Sequence, residues 1–178
     1  MITKKKYRYL DNYKLNEKGE YVYTGFFYKP DLEEDAKNKL VRKILILDAV
    51  LFLTVIIGGS FPYKGMLGYF YIIFPYIIEL LFAGLQFWPL YNIYKKYELK
   101  DYEYSRYVTH LRPYCMIAMI SAVCGLLGCI LNGITEGFEP LSGSLTFALT
   151  KIISIFLNNA VIRLIGQNRY SMIKETKR

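Results

Sequence analysis

Cysteine, histidine and tryptophan are scarce in this chain: 178 residues hold three, one and one of them. Cys115, Cys124 and Cys129 all fall in a single apolar stretch, and an odd number there excludes a disulfide framework. Their spacings are not C-x-x-C, which sets aside a quinone-coupled thiol oxidoreductase. Small free cysteines of this kind are packing residues. His110 stands without clustered cysteines or paired carboxylates, so no metal site is expected. No glycine loop has phosphate-cradling spacing, and no nucleophile has a base near it in sequence. The reading is therefore non-enzymatic, with no catalytic residue and no cofactor. A short apolar run ending in a cleavage-like site is also missing from the polar first 42 residues, so no signal peptide is expected.

What the chain has is hydrophobic mass and positive charge, kept apart. It is 53% hydrophobic and 21% charged, with 23 Lys+Arg against 15 Asp+Glu. A mean hydropathy of +0.18 is high for so charged a chain of one-domain length. The two values agree only if apolar and charged residues are segregated. Four apolar stretches approach the roughly 20 residues that a spanning helix needs. They run over 40–59, 68–91, 114–134 and 145–165. The expected fold is an all-α membrane protein: a four-transmembrane-helix bundle over 40–165, preceded by a tail (1–39) carrying a short β-hairpin and followed by a basic tail (166–178).

Charge sets the orientation. Eleven basic residues lie between Lys4 and Lys43, and five more in the middle connection: Lys95, Lys96, Lys100, Arg106 and Arg112. The C-terminal end adds Arg163, Arg169, Lys174, Lys177 and Arg178. The other two connections carry only Lys64 in one, and Glu136 and Glu139 in the other. The positive-inside rule puts both termini and the middle loop in the cytoplasm. Basic residues so placed meet anionic headgroups of the bilayer rather than nucleic acid. The fourth stretch is the costliest to insert, since Lys151 alone opposes insertion by about 2.5–3.5 kcal/mol.

The N-terminal tail alternates aromatic and polar residues on either side of Asn16-Glu17-Lys18-Gly19, a turn sequence. A hairpin of Tyr7–Leu15 with Glu20–Tyr28 is expected, lying on the membrane surface or on a partner because a lone hairpin is marginal in water. Asp31 as N-cap and Glu34 as its reciprocal partner then start a helix that runs into the first span. The tyrosines of the middle connection suit the headgroup layer, where a ring buries its face and keeps its hydroxyl wet. That placement accounts for them better than base stacking does.

Ionisable residues inside spans are costly and so mark candidate sites: Asp48, Glu79 and Lys151. At 100° per residue, Pro75, Glu79, Ala83 and Gln86 share a face of the second span, and Pro75 leaves the carbonyl of Tyr71 without its helical donor. Ser144, Lys151, Ser154 and Asn158 share a narrow sector of the fourth, which Asn159 and Arg163 widen. The depths allow a Glu79–Lys151 pair. Asp48 can meet Asn158 or Asn159, or snorkel to the interface. These groups either hold the bundle together or line a solute or proton path. On the third span, Ala118, Ser121, Gly125, Gly128 and Asn132 form a small-residue stripe for close helix packing, within the bundle or in a dimer.

The stretch YRYLDNYKLNEKGEYVYTGFFY ahead of four spans resembles small uncharacterised four-span membrane proteins of low-GC Gram-positive bacteria. Sixteen lysines to seven arginines and only seven alanines fit such a genome. The resemblance implies a bacterial plasma membrane and brings no activity with it. Small four-span multidrug transporters also carry a membrane glutamate, but in the first span of a much shorter chain, whereas Glu79 lies in the second. The function expected is an accessory or assembly subunit acting with a membrane-protein partner. The alternative is a small oligomeric transporter or channel using Glu79, Lys151 and Asp48.

Overall fold

A computed structural model describes residues 12–15, 19–61 and 68–174. Three short strands come first: β1 (Tyr13–Leu15), β2 (Tyr21–Tyr23) and β3 (Phe26–Pro30). The long helices α1 (Glu34–Ser60) and α2 (Phe70–Lys95) follow, then β4 (Leu99–Lys100) and a short helix α3 (Asp101–Tyr104). A π-helical turn over Ser105–Thr109 leads into α4 (His110–Glu136), and α5 (Leu141–Ile165) and β5 (Tyr170–Lys174) complete the order.

The four long helices form an up-and-down bundle. α1 packs on α2 and α5, and α4 packs on the same two, so α1 faces α4 and α2 faces α5 across its diagonals. Among the described residues, three helices have the length and apolarity to cross a membrane: α2, α5 and the continuous helical stretch Asp101–Glu136. Between the helix ends the outward faces are mainly apolar. Leu53, Leu81, Leu127 and Phe156 are 58–70% exposed, while Asp48, Glu79 and Lys151 are buried. That distribution is the reverse of a water-soluble bundle, which keeps its polar face outside.

One end of the bundle carries the strands. β3 is the centre of a three-stranded antiparallel sheet in the order β4-β3-β5, with Phe27 opposite Lys100 on one side and Ile173 on the other. The sheet ties together the chain entering α1, leaving α2 and leaving α5. Beneath it, Val41, Ile44, Leu90, Ile93, Leu99, Leu111 and Val161 form an apolar cluster.

The expected hairpin is present as β1–β2, with Tyr13 opposite Tyr23 and Leu15 opposite Tyr21. Gly19 takes φ +77°, the left-handed conformation that suits glycine in a turn. The parts of the hairpin at Tyr7–Asp11 and Asn16–Lys18, the connection bearing Lys64, and Lys177 and Arg178 lie outside the described residues. The second strand does not continue to Tyr28. The chain passes over the Tyr23 ring at Gly25, where a side chain would collide with that ring, and Phe26–Pro30 joins the other sheet.

Two further expectations are corrected. Asp31 does not cap α1, which starts at Glu34 after an N-cap at Glu33 without a side-chain cap bond. Pairing of β3 with β5 draws Asp31 to the sheet instead, where its N–H donates to the carbonyl of Arg169 at 3.0 Å and its carboxylate accepts from Ser171. The segment after residue 165, read as a tail, supplies β5. The helical stretch that contains the third expected span is longer than the span and begins at Asp101, where Lys100 N–H and Glu103 form a capping arrangement (3.1 Å).

Candidate functional site

The interior of the bundle is a polar strip between apolar layers, fed by all four long helices. Lys151 of α5 forms an ion pair with Glu79 of α2 across the bundle's diagonal, and both side chains are buried. The ammonium lies 4.7 Å from the ring centroids of Tyr76 and Phe147, so two aromatic faces add cation–π contact to the charge pair. Gly125 of α4 makes room for the lysine stem: a β-carbon there would stand 3.4 Å from Lys151 Cε. Ser154 stands beside Glu79 on the same helix face as Lys151.

Toward the strand-bearing end the strip continues through Asn158 and Gln86. Asn158 Nδ2 donates to the carbonyl of Ser154 at 3.0 Å, and Cys115 Sγ of α4 donates to Gln86 Oε1 at 3.2 Å. Asp48 lies midway along α1, wholly buried and near Cys115. It neither snorkels nor makes a hydrogen bond, so its expected pairing with Asn158 or Asn159 is not formed. Both Asp48 oxygens, Glu79 Oε1, Gln86 Nε2 and Asn158 Oδ1 are buried and meet no hydrogen-bond partner among the described residues. Buried polar groups call for partners, which sets this strip apart from the apolar layers around it.

Asn159 is the expected site residue that lies elsewhere. It is exposed, because one residue's step turns it about 100° from Asn158. The α4 stripe is used inside the chain: Ala118, Ser121, Gly125, Gly128 and Asn132 are all buried against the other helices, which leaves none of it for a dimer. Gly128 packs against the carbonyl of Tyr71, the group that Pro75 leaves without a helical donor.

Lys37 is a buried polar residue that sequence reasoning missed. It sits in the first turns of α1, and its ammonium donates to the carbonyls of Tyr94 (3.2 Å) and Lys96 (2.9 Å) at the C-terminus of α2. It thereby satisfies carbonyls that the helix end leaves open and places a cation at the negative end of the helix dipole. Burial lowers its pKa below the ordinary lysine value, and Glu34 offsets part of that. Its only sequence signal was membership of a basic run. Nearby, the tyrosines of the middle connection build a packed layer: Tyr28 stacks on Tyr104 with centroids 4.0 Å apart, and Tyr104 meets the edge of Tyr170 at 5.6 Å. Burial pushes the Tyr170 phenol up to about 12.

Among the described residues, no three His, Cys, Asp or Glu side chains gather to hold a metal ion. Comparison with protein families, curated proteins and solved structures finds no match for this chain.

Proposed function

We propose that the chain is a non-enzymatic integral membrane protein of four spans, with both termini and the sheet in the cytoplasm of a bacterium and the bundle in its plasma membrane. Its role in this reading is that of an accessory or assembly subunit. The fourth crossing is α1. Its support is the apolar run after Ile44, whose one charged residue is the buried Asp48, and the outward exposure of Ile46, Val50, Leu53 and Ile57. Orientation rests on the basic residues grouped at the strand-bearing end, opposite Glu136 and Glu139.

The observation that carries the subunit role is β5. Among the described residues it pairs with β3 alone, so its other edge offers free backbone groups, with Met172 58% and Ile173 42% exposed. An open edge of this kind accepts a strand from another chain. The interior ion pair, closed over by Tyr76 and Phe147, then acts as a pin of the bundle. The test is extraction of the tagged protein from its host in mild detergent, with mass spectrometry of what co-purifies. A stoichiometric membrane partner, reduced by Met172→Pro, whose N–H points to the open edge of β5, is the expected result. A partner-free monomer ends this reading.

A second reading, a small transporter or channel, is favoured by the unpaired polar atoms of Asp48, Glu79, Gln86 and Asn158 strung along the interior. Its test is Glu79→Gln beside Asp48→Asn in reconstituted vesicles. Unchanged flux in well-folded variants removes it.

A further inference from the structure

A groove of about 530 Å³ runs between α1 and α5 on the outside of the bundle at its strand-bearing end. Lys43, Leu47, Phe156, Asn159, Arg163 and Gln167 are among the residues that line it. Both walls change character in the same direction. On α1, Lys43 lies one turn nearer the strand-bearing end than Leu47. On α5 and the turn after it, Gln167 and Arg163 lie nearer that end, Asn159 is intermediate, and Phe156 is deepest. Lys43 and Arg163 are exposed, and neither has an ion-pair or hydrogen-bond partner among the described residues. At the end of α5 the carbonyls of Ile162, Leu164 and Ile165 accept from the N–H groups of Gly166, Gln167 and Asn168 at 3.1 Å.

We propose that this groove seats one anionic phospholipid, its phosphate between Lys43 and Arg163 and an acyl chain along Leu47 and Phe156. The amides of Asn159 and Gln167 supply neutral donors for the headgroup. Two cations free of protein partners above an apolar trough match a charged head above a hydrocarbon chain. A free phosphate would use only the upper half of the groove. The assignment rests on the reading that α1 and α5 lie in a bilayer.

The test is native mass spectrometry of the full chain released from nanodiscs of equal phosphatidylglycerol and phosphatidylcholine. The expected result is several-fold enrichment of retained phosphatidylglycerol. Lys43→Gln and Arg163→Gln should each lower it roughly five-fold. Phe156→Ala should lower retention of the lipid while both cations remain. Because these side chains are exposed, unchanged thermal melting of the variants serves as the folding control. Equal retention of the two lipids, or enrichment that survives Lys43→Gln with Arg163→Gln, overturns the proposal. Displacement of phosphatidylglycerol by millimolar inorganic phosphate marks a bare anion site and overturns it too. A chain that never enters the nanodiscs overturns the bilayer reading itself, with neither lipid retained.

Discussion

Lys151 and Glu79 meet across a diagonal of the bundle, between helices that are not packing neighbours. The lysine stem passes over Gly125 of a third helix, and its ammonium ends between the rings of Tyr76 and Phe147. One pair therefore fixes α2 and α5 through the centre, and α4 through the space that Gly125 leaves.

Removing one partner strands a buried charge, whereas removing both does not. Lys151→Met alone is expected to lower stability by about 3–5 kcal/mol, and Lys151→Met with Glu79→Gln by clearly less. Thermal unfolding of the four members of this cycle in one detergent gives the coupling. A single-variant loss near the roughly 0.6 kcal/mol of an average interhelical polar contact would make the pair incidental.

The two glycines of the α4 stripe should differ. A β-carbon at Gly128 would lie 3.0 Å from the carbonyl oxygen of Tyr71 and 3.1 Å from Ile72 Cγ1, and backbone cannot swing aside. At Gly125 the nearest atom is 3.4 Å away, on a lysine stem. Gly128→Ala is expected to destabilise by about 1–3 kcal/mol, the usual range for overpacking. Gly125→Ala should be milder. Melting temperatures in detergent decide the order.

Alkaline pH should loosen the sheet before the bundle. Burial raises the Tyr170 phenol from 10.0 to about 12, so its contribution is fully present below pH 10 and is lost as pH rises through 12. The shift corresponds to at most about 2–3 kcal/mol. Lys37 acts the other way, because its lowered value makes stability rise with pH through that value toward the unfolded one. Tyr170→Phe removes the tyrosine term alone. Stability of that variant, followed by denaturant titration from pH 9 to 12, should fall less steeply than that of the parent.

Orientation is checked with single cysteines in a background lacking Cys115, Cys124 and Cys129. Glu139→Cys, on the connection between α4 and α5, should react with an impermeant maleimide in intact cells. Met172→Cys on β5 should react only after lysis. The reverse pattern inverts the topology.

Much of the interior was legible because a helix obeys a single period. Glu79, Ala83 and Gln86 lie on one predicted face and are all buried, as are Lys151, Ser154 and Asn158. Depth along two helices was enough to bring Glu79 to Lys151. The same period separates Asn159 from Asn158, and treating both as one broad polar sector blurred that distinction. Asp48 was left free to pair or to snorkel, because depth alone does not tell which face of α1 turns inward; the bundle buries it. The three-stranded sheet had no comparable signal. β4 is two residues long, β5 follows a helix with basic residues around it, and β3 read naturally as the far half of a hairpin. Pairing between such distant segments leaves no local pattern.

Phe26 pairs with Lys174, and Pro30 with Tyr170. During synthesis β3 is made before any of the four long helices, and its partner β5 only after all of them. The central strand therefore waits through the building of the whole bundle, with only the two residues of β4 arriving part-way. Closure of the sheet cannot precede the synthesis of β5, and it joins the chain entering α1 to the chain leaving α5. A chain stalled before α5 would leave the β5-facing edge of Phe26–Pro30 without its strand.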